Sequence, residues 1–326
     1  MEIVLHIGPH KTGTTSVQKF LKKHTRKTKK QFYYPPIPDG HGPGHALLAW
    51  HTLGVRTDIQ PVAPLADVIS EAAGKGVRQL VLSAEDFSIA FFTGMDKLAK
   101  ALERHPVHLI CTFTPVARRV LSIWQEEVKH GALYPSSDIP SFAANSPTLQ
   151  PALARKFTEA LNPSRVSLIL AYSSDPAALL KVVGDIIGLD VPPDPAMAPA
   201  NVSMGTIEIE TLRAFNAITH QQGVDPATTK AMRDYLMQLF LSEMWNQSFG
   251  KVPLRFPDPA VAAFAERLAS EFETEFDRLR QDPRITFHDT RLVEPALLQA
   301  RKPKRRTRRL TASLRRFVQI PQWGSQ

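Results

Sequence analysis

An apolar segment runs directly into a turn rich in glycine and threonine and then into an amphipathic helix, across residues 3 to 21 of this chain. The stretch from Ile3 to Ile7 is almost continuously apolar, which is typical of a buried strand. Val17, Phe20 and Leu21 recur at the spacing of one helix face. Because a helix start offers unpaired N–H groups and the positive end of a dipole, this order of elements predicts an anion-binding loop.

The loop reads Gly-Pro-His-Lys-Thr-Gly-Thr-Thr from Gly8 to Thr15. Gly13 lets the backbone approach a phosphate closely, Lys11 adds a cation, and Thr14 and Thr15 add hydroxyl groups. The pattern differs from the phosphate-binding loop of nucleoside triphosphatases, which has four residues between its first glycine and a Gly-Lys-Ser/Thr ending, because here the lysine precedes the glycine. The alternative is an ordinary strand, turn and helix with a glycine-rich corner.

The composition is that of a globular protein, with 326 residues of which 43% are hydrophobic and 22% charged. Because the sequence contains no apolar run of about 18 residues and the first apolar segment passes at once into the loop, we expect neither a membrane span nor a signal peptide, and a cytoplasmic protein. The single cysteine, Cys111, lies in an apolar run and is predicted to pack in the core.

The formal net charge of +9 is concentrated at the C-terminal end. Nine cations follow residue 300 and no acidic residue follows Glu294, so residues 1–300 sum to 9 − 9 = 0. The cations are Arg301, Lys302, Lys304, Arg305, Arg306, Arg308, Arg309, Arg315 and Arg316. We therefore expect no specific nucleic-acid binding by the folded part, and a disordered, solvated tail over 301–326 that makes at most weak contact with an acidic membrane surface.

Apolar runs separated by helical patterns predict an α/β domain over residues 1–300, with a parallel central sheet flanked by helices. The predicted strands are Ile3 to Ile7, Gln79 to Leu82, Val107 to Phe113 and Val166 to Ala171. From about residue 205 the pattern is largely helical, and we expect these helices to cover the sheet. The predicted helices of this part are Ile207 to Gln221, Ala227 to Phe249 and Ala260 to Arg280.

The Lys-Thr-Gly-Thr-Thr core of the first loop resembles the loop with which bacterial sulfotransferases bind the 5′-phosphosulfate of 3′-phosphoadenosine 5′-phosphosulfate. The resemblance implies a fold like that of P-loop nucleoside triphosphatases and the transfer of a sulfuryl group from this co-substrate without a metal. It implies that the acceptor is a small molecule or a glycan. The group that receives the sulfuryl group would be a hydroxyl or an amine, for example on a saccharide or a lipid. The loop residues implied to bind the donor are Lys11, Thr12, Gly13, Thr14 and Thr15, with Lys11 also catalytic.

The second predicted strand runs into Leu80-Val-Leu-Ser-Ala-Glu-Asp-Phe-Ser88, which places Glu85 just past its carboxyl end. If the strands are parallel, Glu85 lies on the same side as the first loop. A Ser-Ser-Glu or Ser-His-Glu segment occupies this place in the bacterial sequences that this one resembles, and the resemblance implies that Glu85 removes the acceptor's proton. The alternative is a capping box of Ser83 and Asp86, in which the acidic residues only favour a helix start.

Two segments rich in proline and glycine, 34–45 and 191–199, are predicted to be loops. We expect the first to form the lip of the acceptor site, because loops at the mouth of a sheet carry specificity. His45 in this loop is the rival base to Glu85, since an imidazole titrates near neutrality. His41 and His45 have helical spacing, but the Gly-Pro-Gly between them excludes a helix, and we expect no metal site.

The third predicted strand is followed by a helix that we expect to start after an N-cap at Thr114 and to end at Gly131. Arg118 and Arg119 lie four and three residues before Ser122, so an arginine and a hydroxyl can converge on one anion. The segment resembles the part of sulfotransferases that holds the 3′-phosphate of the donor. In that pattern an arginine stands eight residues before the serine, and here Thr114 takes its place.

These features favour a sulfotransferase that uses the phosphosulfate donor. A catalytically degenerate relative that binds an adenine nucleotide is the first alternative, suggested by Thr114. A nucleotide kinase is a second, although the misplaced lysine and the absence of an evident acidic magnesium strand argue against it. An adaptor that docks through its basic tail is a third.

Overall fold

The computed structural model describes residues 1–25, 31–36, 42–56, 62–131, 150–172, 175–189, 204–242, 245 and 273–292. Four sequence-based predictions lie wholly or mostly outside these residues: the basic tail 301–326, His41, the loop 191–199, and the helix from Ala260 to Arg280. Of that last helix the structure describes 273–280, and 273–279 are helical.

Within the described residues, six strands form one sheet in which every neighbouring pair is parallel. The strands are β1 (Glu2–Ile7), β2 (Phe32–Tyr33), β3 (Gln79–Ser83), β4 (Val107–Phe113), β5 (Arg165–Leu170) and β6 (Ile285–Asp289). They lie in the order β2-β3-β1-β4-β5-β6. The α/β architecture with a parallel sheet is therefore confirmed, and the carboxyl ends of all strands meet at one edge.

Helices flank the sheet and connect its strands. They are α1 (Thr14–His24), α2 (Ala46–Leu53), α3 (Leu65–Gly74), α4 (Met95–Leu102), α5 (Val116–His130), α6 (Gln150–Leu161), α7 (Pro176–Ile186), α8 (Thr206–Gln221) and α9 (Pro226–Leu241). Short 3₁₀ helices span Glu85–Phe91 and Thr290–Leu292. Of the helices described, none combines the length and the apolar character needed to cross a membrane.

The central strands are buried on both faces, which explains their unbroken apolar sequences. In β1, Ile3 and Leu5 join one apolar cluster, whereas Val4 between them joins another on the opposite face. Phe20 of α1 and Leu179 of α7 pack in that second cluster. Because neighbouring side chains of a strand point to opposite faces, each central strand needs apolar residues at nearly every position to pack against the helices on both faces of the sheet.

The order of the strands places the first loop at a change of direction in the sheet. The chain builds β2 and β3 on one side of β1 and then crosses to lay β4 on the other side. The loop after β1 therefore lies between the segments that follow β3 and β4. Ligands of open parallel sheets bind at this kind of position, beyond the carboxyl ends of the strands.

The structure confirms the four predicted strands to within a residue at each end, and adds two at the edges, β2 and β6. It also corrects the C-terminal part. The helix predicted to reach Phe249 ends at Leu241, because Ser242 is extended. Strand β6, which we did not predict, follows the last of the predicted helices in the part that we expected to be largely helical.

The expectation that the C-terminal helices cover the sheet holds for the described end of one helix, where Phe276 and Leu279 pack in the first apolar cluster with the strands, but not for α8 and α9. A third apolar cluster joins α5 to α8 and α9 through Trp124, Ile209, Leu212 and Phe240, and none of its members belongs to a strand. Among the described residues, α8 and α9 therefore pack onto α5. Cys111 is fully buried in the first cluster, as predicted, and its burial raises the pKa of its thiol.

Candidate functional site

The loop after β1 passes through left-handed backbone conformations at two positions, Lys11 (φ +69°) and Gly13 (φ +91°). A β-carbon on Gly13 would lie 2.8 Å from the side chain of Leu179, so backbone angle and space both require glycine here. A lysine in the left-handed region is strained, and such strain concentrates at functional positions. The hydroxyl of Thr12 donates to the Pro9 carbonyl at 2.9 Å and closes the turn from within.

Helix α1 begins immediately after this loop, at Thr14. Gly13 is its N-cap, and no side chain among the described residues caps it. The first amide N–H groups of a helix have no intrahelical acceptor, so this end of α1 is suited to an anion. We call residues 8–15 together with Glu85 the loop site.

A buried histidine fixes the strands beneath the loop site. His6 of β1 places Nδ1 2.7 Å from the Ser83 hydroxyl and Nε2 2.9 Å from the Thr112 hydroxyl. Burial lowers the pKa of His6 to about 4, against a smaller opposing effect of the Glu85 charge. The neutral imidazole of His6 therefore links the carboxyl ends of β1, β3 and β4 by hydrogen bonds. The segments that follow these three strands begin at this point.

Glu85 lies directly against the first loop. Its Oε1 accepts a hydrogen bond from the Thr14 hydroxyl and its Oε2 pairs with Nδ1 of His10. Burial raises the pKa of Glu85, but the bonds from His10 and Thr14 and the charges of His10 and Lys11 outweigh it, so the net pKa is below the ordinary value. Glu85 is therefore an anion in close contact with the loop, as its predicted position required.

The capping box that was the alternative role for this segment is absent. The 3₁₀ helix has Ala84 as its N-cap with no side-chain cap. The Ser83 hydroxyl is bonded to His6 instead, and Asp86 accepts a hydrogen bond from Trp50 Nε1 at 2.8 Å. The two acidic residues thus make tertiary contacts, and the capping prediction is wrong because both proposed partners are engaged elsewhere.

His10, which the sequence analysis did not single out, is part of the loop site. Its Nδ1 pairs with Glu85 while 61% of the side chain remains exposed. The hydrogen bond to Glu85 raises the pKa of His10, whereas burial lowers it. The negative charges of Glu85 and Asp86 raise this pKa further and the positive charge of Lys11 lowers it, so that the net pKa is above the ordinary value. Finding it required the pairing of β1 with β3, because the loop after β1 adjoins the segment after β3 only when these two strands are neighbours.

Lys11 makes an ion pair with α5. Its Nζ lies 3.0 Å from Oε1 of Glu126, whose other oxygen is 3.9 Å from Lys129. Burial raises the pKa of Glu126, but its contact with Lys11 and the nearby cations bring it below the ordinary value. The ammonium group that we expected at the donor is therefore held over the loop by a carboxylate on the neighbouring helix.

The two arginines of α5 lie in different surroundings. Arg119 is buried and its Nε donates to the His10 carbonyl at 3.1 Å, whereas Arg118 is exposed and Ser122 is half-buried. Burial lowers the pKa of Arg119 to about 10, so it remains a cation at neutral pH. Arg119 therefore holds the first loop by a hydrogen bond to its backbone. The convergence of Arg118 or Arg119 with Ser122 on a 3′-phosphate stays a prediction.

The boundaries of α5 differ slightly from those predicted. The helix starts at Val116 with Pro115 as its N-cap, and no side chain caps it. The predicted N-cap, Thr114, is one residue too early, because proline fixes the backbone in the position that the cap requires. Gly131 closes the helix in the left-handed conformation, as predicted.

His45 is buried and held at both ring nitrogens. Its Nδ1 accepts a hydrogen bond from the Ser83 N–H at 3.0 Å, so Nε2 carries the proton and faces the Pro35 carbonyl at 3.3 Å. The Tyr34 ring packs against it at a centroid distance of 4.4 Å. Burial lowers the pKa of His45 to about 4. These contacts suit a residue that anchors its loop, and between the two bases predicted from sequence they favour Glu85.

A cleft of about 270 Å³ opens beside Glu85. Pro43 of the proline-rich loop lines one side, and Thr15 and Gln18 of α1, Glu85 and Asp86 supply polar groups. This loop was predicted to form the lip of an acceptor site, and its described part does border a cleft next to the candidate base. The role of the cleft as an acceptor site stays a prediction.

Among the residues that the structure describes, no three histidine, cysteine or carboxylate side chains are placed to hold one metal ion. Comparison of the chain with models of known protein families and with curated proteins finds no match. The chemistry of the loop site is therefore inferred from its own residues and their geometry.

Proposed function

We propose that this protein is a sulfotransferase with a P-loop-like fold, which moves a sulfuryl group from 3′-phosphoadenosine 5′-phosphosulfate to a hydroxyl or amine. One observation carries the proposal. The first loop, in which Lys11 and Gly13 have left-handed backbone conformations, leads directly into a helix start that no side chain caps. This loop lies where the strand order of the parallel sheet changes direction, and the Glu85 carboxylate contacts it.

The donor's 5′-phosphosulfate would lie against the first amide groups of α1, with Lys11 as its cation. Thr12, Thr14 and Thr15 supply hydroxyl groups around the same turn. The hydroxyl of Thr14 donates to Glu85 in the present arrangement, so the backbone amides and Lys11 provide the main interactions. Arg118 or Arg119 with Ser122 would orient the 3′-phosphate.

The reaction is an in-line displacement at sulfur, in which negative charge develops on the departing phosphate. By analogy with phosphoryl transfer, the protein contributes mainly alignment and stabilisation of that charge. Lys11 is the residue best placed to stabilise the leaving phosphate. The acceptor would enter from the cleft beside Glu85.

Calorimetric titration with the donor and with its desulfated product, adenosine 3′,5′-bisphosphate, tests the proposal. We expect both to bind, and Lys11→Ala to abolish sulfuryl transfer from labelled donor while circular dichroism shows an unchanged fold. Lys19→Ala is the matched control, because Lys19 is an exposed lysine of α1 on the side away from the core. Binding of neither nucleotide to the wild-type protein, or full turnover by Lys11→Ala, would contradict the proposal.

A protein that binds the nucleotide without transferring the sulfuryl group is the second candidate. It is favoured by Thr114, which stands where sulfotransferases that this chain resembles carry an arginine, and which is buried at the carboxyl end of β4. Binding of both nucleotides without any labelled product, over a panel of hydroxyl and amine acceptors, would select this candidate over the enzyme.

A further inference from the structure

The carboxylate of Glu85 is already engaged on both oxygens. Thr14 donates to Oε1 and His10 pairs at Oε2, and 19% of the Glu85 side chain is exposed. His10 shows the opposite arrangement, because only Nδ1 faces Glu85 and 61% of the side chain is exposed. Of the two ring nitrogens of His10, Nδ1 therefore faces the carboxylate and Nε2 is turned away from it.

We propose that His10 is the catalytic base of the transfer, accepting the acceptor's proton at Nε2, and that Glu85 is a positioning residue that holds the imidazole by Nδ1. This inference rests on the proposed sulfotransferase function and names a residue that the resemblance did not. Glu85 fixes the tautomer with the proton on Nδ1, which leaves the lone pair of Nε2 directed outward.

The proton and electron movements balance within this arrangement. The acceptor oxygen or nitrogen forms a bond to sulfur, and its proton moves to Nε2 of His10. The bond between sulfur and the bridging phosphate oxygen breaks, and its electron pair leaves with adenosine 3′,5′-bisphosphate. The imidazolium formed on His10 is stabilised by the Glu85 anion and then returns its proton to solvent.

The groups around His10 agree with this role. The anions of Glu85 and Asp86 raise its pKa and the Lys11 cation lowers it, with a net increase. A raised pKa makes the neutral imidazole a stronger proton acceptor, whereas the lowered pKa of Glu85 makes that carboxylate a weaker one. The backbone of His10 is held by the guanidinium of Arg119, which donates to its carbonyl.

Two measurements on the full chain test the inference. In the first, NMR titration of isotope-labelled histidine, assigned by loss of the signal in His10→Gln, should give a His10 pKa above 6.5, and Glu85→Gln should lower it by about 1 unit or more. Asp86→Asn is the matched control and should lower it less, because Asp86 acts only through space. A His10 pKa that does not respond to Glu85→Gln would overturn the pairing.

In the second, transfer from labelled donor is measured with an alcohol and a more acidic phenol as acceptors. His10→Gln should lower kcat with the alcohol by about 100-fold or more, with a smaller loss for the phenol and little change in KM for the donor. The limb of the pH profile set by His10 should move to lower pH in Glu85→Gln. His51→Gln, which changes an exposed histidine of α2, is the matched control.

The outcomes separate the two proposals. Turnover by the wild-type protein with an unchanged kcat in His10→Gln would overturn the role of His10 and leave the sulfotransferase standing. Loss of activity in Glu85→Gln but not in His10→Gln would make Glu85 itself the base. Absence of any turnover by the wild-type protein would overturn both proposals.

Discussion

The charged groups of the loop site already interact with one another in the free protein. Lys11 is paired with Glu126, and Glu85 with His10. The proposed anionic donor would therefore meet a lysine that has a carboxylate partner, and would have to share or displace that partner on binding. If the proposed function holds, electrostatic competition at this one residue would set part of the affinity for the donor.

Neutralising Glu126 should consequently strengthen donor binding. A partly exposed ion pair such as this one is worth about 0.2–1 kcal/mol, so Glu126→Gln should lower the Kd for the donor by up to about 5-fold in calorimetry at low salt. Glu127→Gln, on the same helix, is the matched control for the change in net charge. Weaker binding in Glu126→Gln would show instead that Glu126 holds Lys11 in its binding position.

The site residues divide into those that local sequence reveals and those that depend on distant contacts. Lys11 and Gly13 lie in a distinctive motif, and Glu85 follows directly from the end of an apolar run. The burial of His45 depends on Tyr34 and Pro35 at the start of the same loop, and no local sequence pattern predicts such a contact. His10 required the pairing of β1 with β3, which is a property of the sheet.

Helix α5 connects the loop site to the C-terminal helices. Its first turns carry Arg119, which braces the loop after β1, and its middle carries Trp124, which packs with α8. At its end, Arg233 of α9 donates to the His130 carbonyl at 2.9 Å and to Asn216 at 3.1 Å. The side chain of Arg233 lies so close to Gly131 that a β-carbon there would contact its guanidinium at 2.2 Å.

Gly131→Ala should therefore destabilise the protein by more than the backbone alone explains. Placing alanine at a positive φ costs about 1 kcal/mol, and displacing Arg233 from its carbonyl acceptor adds about 1 kcal/mol. Gly223→Ala measures the first cost alone, since Gly223 has a φ of +62° and open space around it. Urea unfolding of both variants gives the difference, and equal losses would show that the Arg233 contacts contribute nothing.

The sequence predicts the strands whose own residues carry a clear pattern, and it misses those that are defined by contacts with distant residues. The central strands are long, apolar and bounded by turn formers, so their pattern is unambiguous. Strand β2 has only two residues, and β6 reads Ile-Thr-Phe-His-Asp with partly exposed side chains. Such edge strands are defined by the neighbour that they pair with, here β3 and β5, and carry little signal of their own.

Buried, neutral histidines are spread over the whole sheet. His6 and His45 lie near its carboxyl edge, and His108 lies near its amino edge, 2.9 Å from the Ser167 hydroxyl of β5. Burial lowers the pKa of each to about 4. In the unfolded chain a histidine titrates near 6.5, so between these two values the unfolded state binds more protons than the folded one.

The contribution of these three histidines to the free energy of unfolding should therefore be greatest above pH 6.5 and fall steadily as the pH is lowered toward 4. Each histidine contributes a slope of about 1.4 kcal/mol per pH unit at most in this window. His108→Gln should reduce the slope by roughly one such contribution, because it removes one titrating group far from the loop site while retaining a side chain that can hydrogen-bond Ser167. Urea unfolding at pH 7, 6 and 5 measures both slopes. A wild-type stability that is flat across this range, or a slope unchanged in His108→Gln, would mean that these imidazoles become protonated in the folded state as readily as in the unfolded chain.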